Sequence, residues 1–218
     1  MTPVASHETA WLRFPGVRAP KPMLSREAER QLSARQLELL DELEAELIRQ
    51  SLADLTMAEI AALVGCSLRT LYGIAPSKDG LLLTVVDRRL HRIGRAAIDS
   101  LDASMRPLDA LRAYLQAANE AVQPEAVALA ADLSKVAGAG RLISAHETYL
   151  IAVAQSLLDR AVAEGQIAAV DTASVAHALG GLGREFARPE VAEIAQASPK
   201  ETADSIAELI LQGLLATR

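Results

Sequence analysis

TMAEIAALVGCSLRTLYGIAPS, residues 56–77, reads as two short helices joined by a tight turn, the second of them built to face outward. Thr56 and Glu59 form a Thr-x-x-Glu capping box: the hydroxyl accepts the Glu59 N–H while the carboxylate reaches back to the Thr56 N–H, and a helix starts there. Ile60, Leu63 and Val64 give that helix its apolar stripe. Gly65 stands where a left-handed residue stops it, and Ser67 caps the next helix, expected over 67–74 and ended before Pro76. In this second helix Leu71 and Ile74 share one side, while Arg69, Tyr72 and Gly73 share another. One side packs and the other meets a partner. A helix in the major groove presents its N-terminal residues to base edges, and arginine suits a bidentate contact with guanine, so Arg69 is the candidate base reader. A surface arginine on an ordinary helical hairpin fits the same residues.

With its flanks, the stretch resembles the tetracycline-repressor (TetR) family of bacterial transcription regulators. That family follows a pattern T-x-x-x-I-A-x-x-x-G-V-S, then a helix ending T-L-Y, then a P-S-K turn. Here Thr56, Ile60, Ala61, Gly65, Ser67, Thr70-Leu71-Tyr72 and Pro76-Ser77-Lys78 stand in the matching order, and the resemblance covers about residues 33–95. It implies an all-α chain with an N-terminal three-helix helix-turn-helix domain, followed by a larger helical ligand-binding and dimerisation domain. It also implies contact with double-stranded operator DNA through Thr56, Ser67, Arg69, Thr70, Tyr72 and Lys78, with the residues other than Arg69 holding mainly phosphates. Two departures stand out. Gly73-Ile74-Ala75 replaces the aromatic residues and histidine usual before the proline, which implies a reduced phosphate clamp. Cys66 replaces a small aliphatic residue in the turn and is read as a small hydrophobe rather than a sensor.

The chain divides on this reading into an arm (1–30), the helix-turn-helix domain (31–80) and the ligand and dimer domain (81–218). Five prolines and glycines (Pro3, Pro15, Gly16, Pro20, Pro22) keep the arm irregular to about Ser25. Its Arg13, Arg18, Lys21, Arg26 and Arg30 suit a minor groove, whereas Trp11 and Phe14 suit docking on the body; both readings stand. Ser33-x-x-Gln36 caps a first helix over 33–50 with Leu37, Leu40, Leu43 and Leu47 inward, and a long helix over 77–101 links the domains. Further helices are expected over 107–123, 124–137, 141–164, 171–187 and 199–216, the last started by Ser198, Pro199 and Glu201.

Net charge is −6, unevenly spread. Residues 67–95 hold six basic side chains (Arg69, Lys78, Arg88, Arg89, Arg92, Arg95) against Asp79 and Asp87, while 96 onward is acidic. A basic end serves phosphate neutralisation, and a solvated face of a long helix fits the arginines equally. Ala173, Ala176, Gly180, Gly183 and Ala187 make a smooth stripe for close helix approach, and Ile206, Leu209, Ile210, Gly213 and Leu214 an apolar face. By the resemblance, Ala176, Gly180, Gly183, Ala187, Ile206, Ile210 and Leu214 build a homodimer interface; the alternative is packing within one chain. The candidate lining of an effector pocket, between residues 101 and 165, is Met105, Leu111, Tyr114, Leu115, Leu133, Val136, His146, Tyr149 and Leu150, with His146 and Tyr149 one turn apart to fix a polar group.

One cysteine offers neither disulfide nor zinc cluster, four scattered histidines include no His-x-x-x-His pair, and there is no phosphate loop or nucleophile elbow. No enzyme activity, cofactor or metal is therefore expected. With no apolar run of about 18 residues and no secretion signal, no membrane span is expected either, and a cytoplasmic location is. The sequence points to a ligand-responsive transcriptional regulator, a repressor released from a palindromic operator by a small apolar or amphipathic effector. The second class of reading is a helical protein-interaction adaptor with a degenerate helix-turn-helix.

Overall fold

The computed structural model describes residues 14–102, 104–122, 133–192 and 194–216, all of them helical or connecting. Helix starts follow the caps written in the sequence. Ser33 opens α2 (Ala34–Arg49) and Thr56 opens α3 (Met57–Leu63), each with both arms of its capping box formed. Ser67 accepts the Thr70 N–H at the head of α4 (Leu68–Tyr72), and Ser77 accepts that of Gly80 at the head of α5 (Lys78–Asp99). Each cap satisfies donors that the first helical turn leaves without a partner, a gain of about 1 kcal/mol. Gly65 takes φ 61° in the turn between α3 and α4, a conformation that a residue with a Cβ adopts only under strain.

The body follows as α6 (Pro107–Ala118), a 3₁₀ turn (Asn119–Val122), α7 (Ala139–Ala163), α8 (Thr172–Phe186), a single turn α9 (Pro189–Ala192) and α10 (Pro199–Ala216). The expected helix over 124–137 falls largely outside the described residues. Two short helices escape the sequence reading. One is α9; the other is α1 (Arg26–Gln31), started by Ser25 inside the region assigned to the arm. At six residues and with none buried, α1 carries no periodic stripe to reveal it. None of the described helices is long and apolar enough to cross a membrane.

The described residues form two hydrophobic cores, and α5 belongs to both. The first joins Leu39, Leu40, Leu43, Ile60, Leu71 and Ile74 of the helix-turn-helix to Leu81, Leu82, Val85 and Val86 of α5, and draws in Leu133, Val136 and Ala139. The second starts at Ala97 and Leu101 and includes Leu111, Tyr114, Val153, Leu157, Leu158, Ala176, Leu179 and Leu211. Each fully buried leucine contributes about 1.5–3 kcal/mol, so the two cores rather than the connecting turns hold α5 in place.

Ion pairs tighten the first core. Glu44 of α2 is buried, and Arg89 (3.1 Å) and Arg92 of α5 both donate to its carboxylate. Arg88 pairs with Asp41 at 3.2 Å and with Glu29 of α1 at 3.8 Å. Three of the six basic residues counted toward a phosphate surface thus lash α2 to α5 instead. A carboxylate this far from water requires such cations, and removing them would leave it charged and alone. The arm behaves likewise: Phe14 and Val17 pack on the second core, Leu24 on the first, and the Met23 N–H donates to Asp87 at 2.8 Å. Residues 14–25 therefore dock on the body, whereas Trp11 and Arg13 lie outside the described residues.

In α8 the smooth stripe turns inward. A Cβ on Gly180 would meet Ile151 Cγ1 of α7 at 2.5 Å, and one on Gly183 would lie 3.2 Å from Val122 Cγ2 of the 3₁₀ turn. Ala176 is fully buried and Ala187 nearly so. This corrects the expectation that Ala176, Gly180, Gly183 and Ala187 face a second chain: they give α7 and the 3₁₀ turn room to approach within the protomer. In α10 it is Ala203, Ala207 and Leu211 that are buried, with Ile210 and Leu214 half-buried against the same core, while Leu209 stays 63% exposed. An Arg112–Glu208 pair at 2.6 Å and an Asn119–Asp204 hydrogen bond at 2.7 Å border that contact. Gly180→Ala should lower stability, because displacing Ile151 costs about 1–3 kcal/mol against a helix-propensity gain of at most about 1 kcal/mol. Gly181→Ala, whose Cβ meets nothing within 4 Å, should raise it by up to about 1 kcal/mol. Thermal melts of the two variants at equal protein concentration check the pair of signs.

Candidate nucleic-acid interface and effector cavity

The outward side of α4 is assembled by what lies beneath it. Leu71 is fully buried and Ile74 nearly so, which pins the helix against α2 and α3 and leaves Arg69 and Tyr72 exposed, Tyr72 at 53%. Arg69 makes no ion pair with any described residue. Ser67 Oγ and Thr70 Oγ1 are 2.8 Å apart, so the two hydroxyls bond each other at the head of the helix. Thr56 is exposed, but its hydroxyl bonds Glu59 Oε2 at 2.7 Å; the Thr56 N–H and hydroxyl together hold the Glu59 carboxyl below its ordinary range. Lys78 Nζ donates to the Ala53 carbonyl, tying the start of α5 to the segment before α3. Thr56, Ser67, Arg69, Thr70, Tyr72 and Lys78 thus lie in or beside the helix-turn-helix, with Thr56, Ser67, Arg69 and Tyr72 exposed.

Gly73 has a local reason. A Cβ there would meet Gln36 Nε2 at 2.6 Å, and that amide donates to the Thr70 carbonyl at 3.4 Å. Where a bulky residue would project, the amide of α2 instead reaches the end of α4. Arg35 of the same helix donates to the Val64 carbonyl at 3.4 Å, so α2 supports the turn at two points. Cys66 is half-buried against the first core, and burial pushes its thiol pKa up, away from the reactive thiolate.

Behind this unit lies a cavity of about 600 Å³ between α5, α6, the 3₁₀ turn, α7 and α8. Tyr114, Leu133, His146, Tyr149 and Leu150 line it, as expected; Met105, Leu111, Leu115 and Val136 do not. Leu111 and Leu115 are buried in the second core, Val136 is buried in the first, and Met105 sits in the connection before α6. A one-residue error of phase on a helix exchanges cavity for core, which the apolar pattern of α6 does not resolve. The lining that the sequence reading missed includes Val86, Leu90, Ile93 and Gly94 of α5, Val122 of the 3₁₀ turn, Ile143 of α7, and Gly180 and Gly183 of α8. The gap in side-chain volume at the two α8 glycines was the available signal.

The walls are mainly apolar, and several of their polar side chains are already engaged. Glu147 pairs with Arg184 at 3.0 Å and Arg89 with Glu44, while His146 Nε2 lies 3.1 Å from Asp87 Oδ1. Burial pushes the Tyr114 and Tyr149 phenols far from ionisation, so both serve as neutral hydrogen-bonding groups. Burial also pushes the Asp87 carboxyl up, but hydrogen bonds from His146 and the Met23 N–H, with charge from His91 and His146, bring it below its ordinary value. His91 is lowered by burial, with Asp87 opposing.

No protein-family model and no curated protein matches the sequence. Solved structures do match in fold. A TetR transcription regulator from Haloarcula marismortui superposes with a TM-score of 0.69 at 20% identity, over 84% of this chain and 99% of that one. A putative transcriptional regulator from Pseudomonas aeruginosa PAO1 gives 0.67 at 20% identity, over 86% and 94%. The TetR-family regulator PfmR from Thermus thermophilus gives 0.59 at 21% identity, over 81% and 98%. With its all-helical order, its capped helix-turn-helix and these likenesses along most of its length, the chain has the fold of the TetR-family transcriptional regulators.

Proposed function

We propose that the protein is a cytoplasmic, DNA-binding transcriptional repressor that leaves a palindromic operator when a small apolar or amphipathic molecule enters the cavity. The observation that carries this reading is α4 itself: a short helix fixed from below by Leu71, capped by Ser67, with Arg69 and Tyr72 turned to solvent. Such a helix can enter a major groove, where Arg69 would read a guanine while Ser67, Thr70 and the start of α5 lie against phosphates. Leu63 (40%) and Leu68 (41%) are exposed in the helix-turn-helix as Tyr72 is, and those three apolar side chains favour the second reading, an adaptor that meets a protein through this unit. Salt separates them. A repressor's DNA affinity falls steeply with salt concentration, whereas an adaptor shows no shift of palindromic DNA even at low salt.

Two half-sites need two reading helices, and the exposed Leu209 of α10, together with the outer side of α8 at Ala173 and Gly181, is the surface on which we place the homodimer. The inner residues Ala176, Gly180, Gly183 and Ala187 are occupied within the chain and take no part. Induction runs along α5. Its Val86, Leu90 and Ile93 line the cavity, while its Leu81, Leu82 and Val85 share the first core with Leu71 of α4. A ligand that prefers a shifted α5 would change the spacing of the paired α4 helices without unfolding either core, and only that difference in affinity can release DNA.

Arg69→Ala should weaken operator binding by about 1–3 kcal/mol and relax selectivity at one position per half-site; an equal loss on all sequences would reassign Arg69 to phosphate contact. Leu209→Asp should yield a monomer by light scattering, and a variant that remains dimeric removes α10 from the interface. Tyr149→Ala should weaken the inducing ligand while leaving operator affinity in its absence unchanged. Both affinities measured on that one variant decide the point, since a loss of DNA binding alone contradicts the cavity as the effector site.

A further inference from the structure

Three groups that the proposed DNA contact does not employ meet where α5 faces α7, and one of them, His146, also lines the cavity. Asp87 and His91 lie one turn apart on α5 and His146 comes from α7, and one candidate ligand atom from each lies within 4.8 Å of the other two. Asp87 Oδ1 is 3.1 Å from His146 Nε2 and 3.4 Å from His91 Nε2. In a tetrahedral zinc site, with metal–ligand distances of about 2.0–2.2 Å, neighbouring ligand atoms stand about 3.3 Å apart. Both carboxylate–imidazole edges already have that length. The two rings meet edge to face with centroids 4.7 Å apart.

His91 Nε2 supplies the second observation. It is buried and has no hydrogen-bond partner among the described residues, the 3.4 Å approach to Asp87 falling outside hydrogen-bond geometry. A nitrogen removed from water and left unpaired calls for an explanation, and a metal ion accepting its lone pair is one. The carboxylate is prepared for the same role. Asp87 is 2% exposed, and its Oδ2 accepts the Met23 N–H at 2.8 Å, which orients the group and turns Oδ1 toward the imidazoles. Ligating carboxylates are commonly held by such an outer hydrogen bond.

We propose that Asp87, His91 and His146 bind a divalent first-row transition ion such as zinc, with the fourth position left to water. Two imidazoles and one carboxylate suit zinc, cobalt or nickel and are poor ligands for magnesium or calcium, which take oxygen. Binding uses both Nε2 lone pairs, so each imidazole carries its remaining proton on Nδ1: a neutral His146 shifts its proton from Nε2 to Nδ1, and only an imidazolium releases one to solvent. The ion would join three segments that are distant in sequence: the segment that ends at Met23, the connecting helix α5, and α7. This inference stands whether or not the chain binds DNA.

The experiment uses the full chain stripped of metal with a chelator. Cobalt(II) should give the intense visible absorption of a tetrahedral site at one equivalent per chain, and zinc should displace it and raise the melting temperature. His91→Gln and Asp87→Asn should each weaken metal binding at least about tenfold, with an unchanged far-ultraviolet circular dichroism spectrum in the stripped state. His177→Gln, at an exposed histidine of α8, should leave binding intact. If Asp87→Asn fails to fold, His91→Gln decides alone. Absence of the cobalt spectrum in the wild-type chain, its persistence in His91→Gln, or its loss in His177→Gln overturns the site.

Discussion

Helix α5 has one face to share between two cores, and the geometry of the rest of the chain follows from that. Leu81, Leu82, Val85 and Val86 are buried under the helix-turn-helix, and Ala97 is buried three turns later among α6 and α7. A helix rises 1.5 Å per residue, so these anchor points are held at a fixed separation and angle by one hydrogen-bonded rod. The buried carboxylate of Glu44 then restricts how α2 lies on that rod, because Arg89 and Arg92 of α5 match its charge. Moving α5 moves the reading unit as a whole. The first core resists internal change, since close-packed interiors shift between discrete arrangements more readily than they deform.

The cavity exists because small residues were placed where large ones would fill it. Gly180 and Gly183 bring α8 close to α7 and the 3₁₀ turn, and the same residues, with Ala187, form part of the cavity wall. About 600 Å³ with mainly apolar walls lies within the range of small-molecule sites. The charged side chains Arg184, Glu147 and Arg89 and the imidazole of His146 in its wall are already engaged: Arg184 with Glu147, Arg89 with Glu44, His146 with Asp87. A ligand rich in charge would have to break such pairs, and an apolar one would not. That asymmetry is the physical argument for the class of effector proposed.

Asp87 carries more of the fold than its length of side chain suggests. Its two oxygens face three parts of the chain: the Met23 N–H on one side, and His146 and His91 on the other. A carboxylate with so little access to water must be fully matched, and the match here recruits the N-terminal segment, so residues 14–25 lie along the body instead of reaching outward. The arm's docking and the proposed metal site are two consequences of one buried charge.

What the sequence by itself determined is local. The capping boxes at Ser33 and Thr56, the left-handed Gly65, the Ser67 cap and the outward phase of Arg69 and Tyr72 all appear in the structure where the sequence put them, because each depends on hydrogen bonds and periodicity within a few residues. The tertiary structure decided where each long helix points its second face. The arginines of α5 look like a phosphate surface until α2 brings Glu44 and Asp41 against them, and the smooth stripe of α8 looks intermolecular until α7 covers it. Leu111 and Leu115 sit in the core rather than the cavity for a similar reason: a helix's apolar stripe says that it is covered, and only the neighbouring helix says by what. His91 and His146 stand 55 positions apart in the chain, and although Asp87 and His91 at i, i+4 were visible, nothing local brings the second imidazole to them. Pairings across such separations depend on how helices pack, a property of the whole chain that no window of sequence contains.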